Sequence, residues 1–129
     1  MKMILTPWDQ YRLSLASADF EELCLTLELR LRAAGWRDLA GALRKNSAAL
    51  AGNLWNMEIA PEPRRDRRIQ RARVQIAKCA ADLTAGSMCV PSDAPLWRQG
   101  RALLIEISGE LDRLTPFATE KARPRLWMN

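Results

Sequence analysis

A chain of 129 residues, 48% of them apolar, is long enough for one domain with its own core, so no disulfide framework or structural metal is required. Its three cysteines, Cys24, Cys79 and Cys89, fit no zinc or redox spacing, and no apolar run reaches the roughly 20 residues needed to cross a bilayer. The complete lack of histidine excludes Ser-His and Cys-His nucleophile pairs, imidazole metal ligands and the commonest general base together.

In chain order, Thr6-Pro7-Trp8-Asp9 opens a helical stretch, with Thr6 as N-cap and Pro7 at the first helical position. Trp8, Tyr11 and Leu15 form a stripe that is not continued. Phe20, Leu23, Cys24, Leu27, Leu31 and Ala34 lie at a different angle, and Asp19 with Glu22 resembles a capping box. The expectation is a break near Ser17 to Asp19, then a main helix ending at Gly35, a natural C′ residue. A tight connection there favours an antiparallel neighbour.

The central helix follows over Asp38 to Met57 and stops before Pro61. Leu39, Leu43, Asn46, Leu50, Asn53 and Met57 recur at steps of four and three, which marks a bundle seam. Gly41, Ala48, Gly52, Trp55 and Ile59 lie on roughly the opposite side, so the helix carries two contact faces. After the stiff turn Pro61-Glu62-Pro63, a third helix runs from about Arg64 to Cys89. Its buried stripe is Ile69, Ala72, Ile76, Cys79, Ala80, Leu83 and Val90. Pro91 to Pro95 breaks the chain again. A fourth helix sets Leu96, Gly100, Leu103, Leu104, Ile107, Leu111 and Leu114 inward, with Arg98, Arg101, Glu106, Glu110 and Arg113 outward. The whole chain reads as one all-α domain, an up-down four-helix bundle with a short helical preface, a core over about 19–115 and a flexible or partner-docked basic tail over 116–129.

The net charge of +5 is concentrated in one segment. Residues 61–90 hold seven basic and three acidic groups, whereas residues 1–60 hold seven of each. Arg64, Arg65, Arg67, Arg68, Arg71 and Lys78 carry this excess; with Gln75, most of them fall in a narrow sector of the third helix and form a basic ridge. Cations at a helix start oppose its dipole, and the cost is accepted repeatedly here. Arginine planes suit bidentate phosphate contact, so the ridge points to phosphate-backbone binding without base readout; the other reading is a solvated face partly neutralised by Asp66 and Glu62. Arg123, Arg125 and Trp127 offer a stacking contact in the tail.

Two further features carry alternative readings. Asn46 and Asn53, seven apart in a leucine seam, suit a register-fixing role better than ligand binding or catalysis. The Gly41, Ala48, Gly52, Trp55 surface is either close packing inside the monomer or a subunit interface anchored by the tryptophan. The cysteines behave as small apolar residues. No catalytic residue, metal ligand or cofactor is expected, and the reduced thiols with no signal-peptide core point to the cytoplasm.

The run L-x-x-x-L-R-K-x-x-x-x-L-x-x-N, from Leu39 through Leu43, Arg44, Lys45 and Leu50 to Asn53, precedes a basic turn and a helix with A-A-D-L at Ala80 to Leu83. Over roughly Gly35 to Leu114 this resembles small bacterial four-helix-bundle proteins encoded in intervening sequences of ribosomal RNA genes. Their relatives include Avd, the accessory variability determinant of diversity-generating retroelements. The resemblance implies a homopentameric assembly and, for the Avd branch, binding of a reverse transcriptase and its RNA or DNA through a basic surface; it implies no catalytic residues. A second resemblance, to the flagellar regulator FlaF, rests on Ala42-Leu43, Asn46 and Leu54-Trp55 and implies a regulatory protein–protein module without nucleic-acid binding.

Overall fold

The computed structural model describes residues 7–55, 57 and 62–114. Where the sequence reading places a break near Ser17 to Asp19, a single helix, α1 (Pro7–Ala33), runs through. The stripe that carries it is Leu13, Ala16, Phe20, Leu23, Cys24, Leu27 and Leu31, all buried at helical spacing, while Leu15 is exposed. The apolar face therefore keeps one angle from Leu13 to Leu31, and Asp19 with Glu22 does not cap a helix. Thr6, the tail 116–129 and Ile59 lie outside the described residues.

Helix α1 ends at Gly35, whose φ of 91° is open to glycine at little cost. The Gly35 N–H donates to the Arg32 carbonyl at 3.1 Å and the Trp36 N–H to the Leu31 carbonyl at 2.8 Å, the paired bonds of a Schellman motif. Trp36 then accepts the first bond of the next helix, from the Ala40 N–H at 3.0 Å, so the chain reverses within three residues. Helix α2 (Arg37–Trp55) returns along α1, α3 (Glu62–Cys89) runs back, and α4 (Ala94–Leu114) closes the ring after a 3-10 turn at Pro91–Asp93. Each helix packs on its neighbours in sequence and α4 packs on α1, which makes the up-down four-helix bundle; no strand occurs among the described residues.

The core is assembled from Phe20, Leu27, Leu31, Leu43, Leu50, Met57, Ile69, Leu83, Leu104, Ile107 and Leu111. On α2 the buried face is rotated slightly from the expected seam: Ala40, Ser47 and Leu54 join Leu43, Leu50 and Asn53, Leu39 and Asn46 are half-buried at its edge, and Met57 is buried in a turn beyond the helix end. Trp97, which the pattern of α4 leaves unassigned, is buried, and its indole N–H donates to the Val90 carbonyl at 2.9 Å. A Cβ on Gly86 would overlap the Trp97 ring, so the glycine is what lets the indole close the α3–α4 turn. Glu110, expected outward, is buried beside Arg113 at 3.6 Å.

Candidate nucleic-acid interface

Helix α3 spans 28 described residues and begins with a dense run of arginines. Arg64, Arg67, Arg71 and Lys78 are exposed and recur at steps of three, four and seven, which at about 100° per residue keeps them within a sector of about 60°. From Arg64 to Lys78 the row extends about 21 Å at about 1.5 Å per residue. Arg68 is half-buried on the α2 side of the row. No ion pair ties these five cations to a described carboxylate, so their charge is directed outward.

Two members of the expected ridge are used otherwise. Arg65 steps round to the side of Ile69 and Ala72; it is half-buried, with its Nε enclosed and unbonded, so it does not share the outward sector. Gln75 lies in the sector but accepts a hydrogen bond from the Asn53 amide at 2.7 Å. Arg73 was not singled out by the charge pattern. It is 5% exposed and pairs with Asp112 of α4 at 2.9 Å, which removes one of the segment's seven basic groups from the surface. Its position four residues after Ile69 places it beside the buried stripe, on the side that faces α4.

The second candidate surface lies on α2. Ala48, Gly52 and Trp55 are exposed, Gly41 is half-buried, and Trp55 retains 74% of its accessible area. With Ser14, Ser17, Ala18 and Glu21 of α1, Ala48, Gly52 and Trp55 line an open groove of about 370 Å³. A Cβ on Gly41 or Gly52 would meet nothing within 4 Å, and neither has the positive φ found at Gly35. Among the described residues, no side chain packs closely on Gly41 or Gly52, and the face carrying Ala48, Gly52 and Trp55 opens outward.

The polar groups between helices have structural partners. Asn46 donates to Asp82 at 2.7 Å, and Asn53 donates to Gln75, so both seam asparagines tie α2 to α3. Burial raises the Asp82 carboxyl above its ordinary value against the opposing effect of the Asn46 hydrogen bond. Burial also pushes the Cys79 thiol up to about 12, helped by Asp82, and raises Cys24 still further, which suppresses thiolate at neutral pH. Glu28 is buried between α1 and α2 and receives Arg32 at 2.9 Å and Arg44 at 3.4 Å. Among the described residues no group of three metal-ligating side chains converges, and no helix is long and apolar enough to cross a membrane.

These features define a class: a four-helix bundle with an outward arginine row on one corner and a small-residue groove on another side. Comparisons with protein families, with curated proteins and with solved structures find no match to this chain.

Proposed function

We propose that this chain is a non-enzymatic, homo-oligomeric bundle protein of the cytoplasm that binds nucleic acid, or a nucleic-acid enzyme together with its nucleic acid, through α3. The observation that carries this reading is the row Arg64, Arg67, Arg71 and Lys78, exposed and without a described carboxylate partner. About 21 Å of row faces roughly six phosphates of one strand, at one charge per about 3.4 Å of axis. Guanidinium groups grip phosphate oxygens in pairs, and none of them is aimed by a groove-reading motif, so recognition is of backbone and not of base sequence. The resemblance to the Avd group makes a reverse transcriptase a candidate partner and a pentamer the candidate assembly. Gly41, Ala48, Gly52 and Trp55 supply the face on which copies would meet.

The test is fluorescence polarisation with labelled oligonucleotides of several unrelated sequences. The variant carrying Arg67→Gln, Arg68→Gln and Arg71→Gln should bind all of them at least tenfold more weakly while melting at the temperature of the parent chain. Equal affinity of parent and variant, or no binding by the parent at low salt, would return the row to a solvating role and favour the protein-docking reading implied by the FlaF resemblance.

A further inference from the structure

The outward side of α1 departs from the charge of the rest of the chain. From Leu13 to Leu29 the helix contains Asp19, Glu21, Glu22 and the buried Glu28 and no cation, although the whole chain carries +5. Glu28 is matched by Arg32 and Arg44, whereas Asp19, Glu21 and Glu22 are exposed and form no ion pair with a described residue. On the same side Ala18, Leu25 and Leu29, seven and four residues apart, fall within about 40° of one another, with Leu15 beside them. Leu25 and Leu29 keep 48% and 67% of their area exposed. Helix α1 is thus apolar on two sides, one in the core and one facing out, and an outward apolar side with no partner among the described residues marks an interaction surface.

The shape beside it suits a helix. One open groove separates α1 from α2, and a second, of about 390 Å³, separates α1 from α4 and is lined by Asp19, Glu22, Thr26, Gln99 and Leu103. A helix laid along α1 covers Leu25 and Leu29 with its own apolar seam and sets its ridges into the groove beside α4, leaving the Ala48, Gly52 and Trp55 side for the proposed contact between copies. We propose that this face docks an amphipathic helix of a protein partner whose apolar seam is flanked by Lys or Arg. Charge selects that occupant. A second copy's α1 would bring Glu21 and Glu22 against like charges. A second copy's α3 offers cations, but Val74 is the large apolar side chain exposed within its row, so Leu25 and Leu29 would face guanidinium groups. The inference stands apart from the nucleic-acid reading, since it uses the other corner of the bundle.

The experiment measures binding of three labelled 18-residue designed helices to the full chain by polarisation: a leucine seam flanked by Lys, the same seam flanked by Glu, and a serine seam flanked by Lys. The first should bind at least tenfold more tightly than either control, and Leu25→Ser with Leu29→Ser should abolish that advantage. Glu21→Gln with Glu22→Gln should reduce it and weaken its salt dependence. These positions are exposed, so the variants should keep the parent's melting temperature. The Arg67, Arg68 and Arg71 variant should bind the peptide as the parent does, which separates this result from the nucleic-acid test. Equal binding of the three peptides, or indifference to the leucine substitutions, overturns the proposal. Self-association of the parent chain that is lost in the leucine variant overturns it too, in favour of a second copy.

Discussion

Replacing Gly41 and Gly52 together by alanine separates the bundle's own stability from its association. Glycine inside a helix costs about 0.4–1 kcal/mol relative to alanine, because the unfolded chain has more freedom to lose. That gain is often cancelled by a clash, but a Cβ at either position meets nothing within 4 Å. The isolated bundle should therefore gain about 1–2 kcal/mol from the pair, which raises the melting temperature by about 4–8 °C for a domain of this size. At a contact between copies the two methyl groups have the opposite effect. They separate backbones that the glycines allow to approach, at about 1–3 kcal/mol for an overpacked contact, which weakens association by about 5- to 150-fold. Circular dichroism melts on dilute protein and sedimentation equilibrium on concentrated protein read the two effects independently. A lower melting temperature in the dilute variant, or association as strong as in the parent, would refute the reasoning about this face.

Three further outcomes follow from the packing and the titrating groups. Gly86→Ala should destabilise by about 1–3 kcal/mol despite its helix-propensity gain, because the new Cβ occupies the space of the Trp97 ring; urea unfolding measures it, and a neutral result would mean that the indole moves freely. Asp82→Asn should stabilise the chain at pH 7. A carboxyl raised by burial binds its proton more tightly folded than unfolded, so stability falls as pH rises from the ordinary value of 3.8 through the raised one, and parent and variant should converge in acid. Thiol titration of the native chain at pH 8 should modify half-buried Cys89 first and reach Cys24 and Cys79 only on unfolding, as their burial and raised pKa values require.

The four helices were legible because leucine spacing and breakers agree. Gly35 ends α1 in the motif its position predicts, and Pro91 to Pro95 part α3 from α4. The misplaced break in α1 has a physical origin. Apolar residues lie on two sides of that helix, so Leu15 belongs to the outward set and Leu13, Ala16 and Phe20 to the core, and a single-stripe reading joins the wrong members. Trp97 and Arg73 were missed for a related reason. Each depends on a residue from another element, Gly86 and Val90 for the indole and Asp112 for the guanidinium, and no spacing within one helix announces such a pair. The arginine row was readable as a sector because only helical rotation is needed to place it. Arg65 adds to the charge of the segment but lies off the row, since one step from Arg64 turns the chain by about 100° and sets it beside the buried stripe.

The salt dependence of oligonucleotide binding tests the central claim most directly. Five phosphate contacts, from Arg64, Arg67, Arg68, Arg71 and Lys78, give a log–log slope of about −4.5 on duplex DNA, or about a 500-fold loss of affinity between 50 and 200 mM salt. Neutralising Arg67, Arg68 and Arg71 should reduce the slope to about −1.8. A parent slope near zero, or the same slope in parent and variant, would contradict phosphate binding by this face of α3.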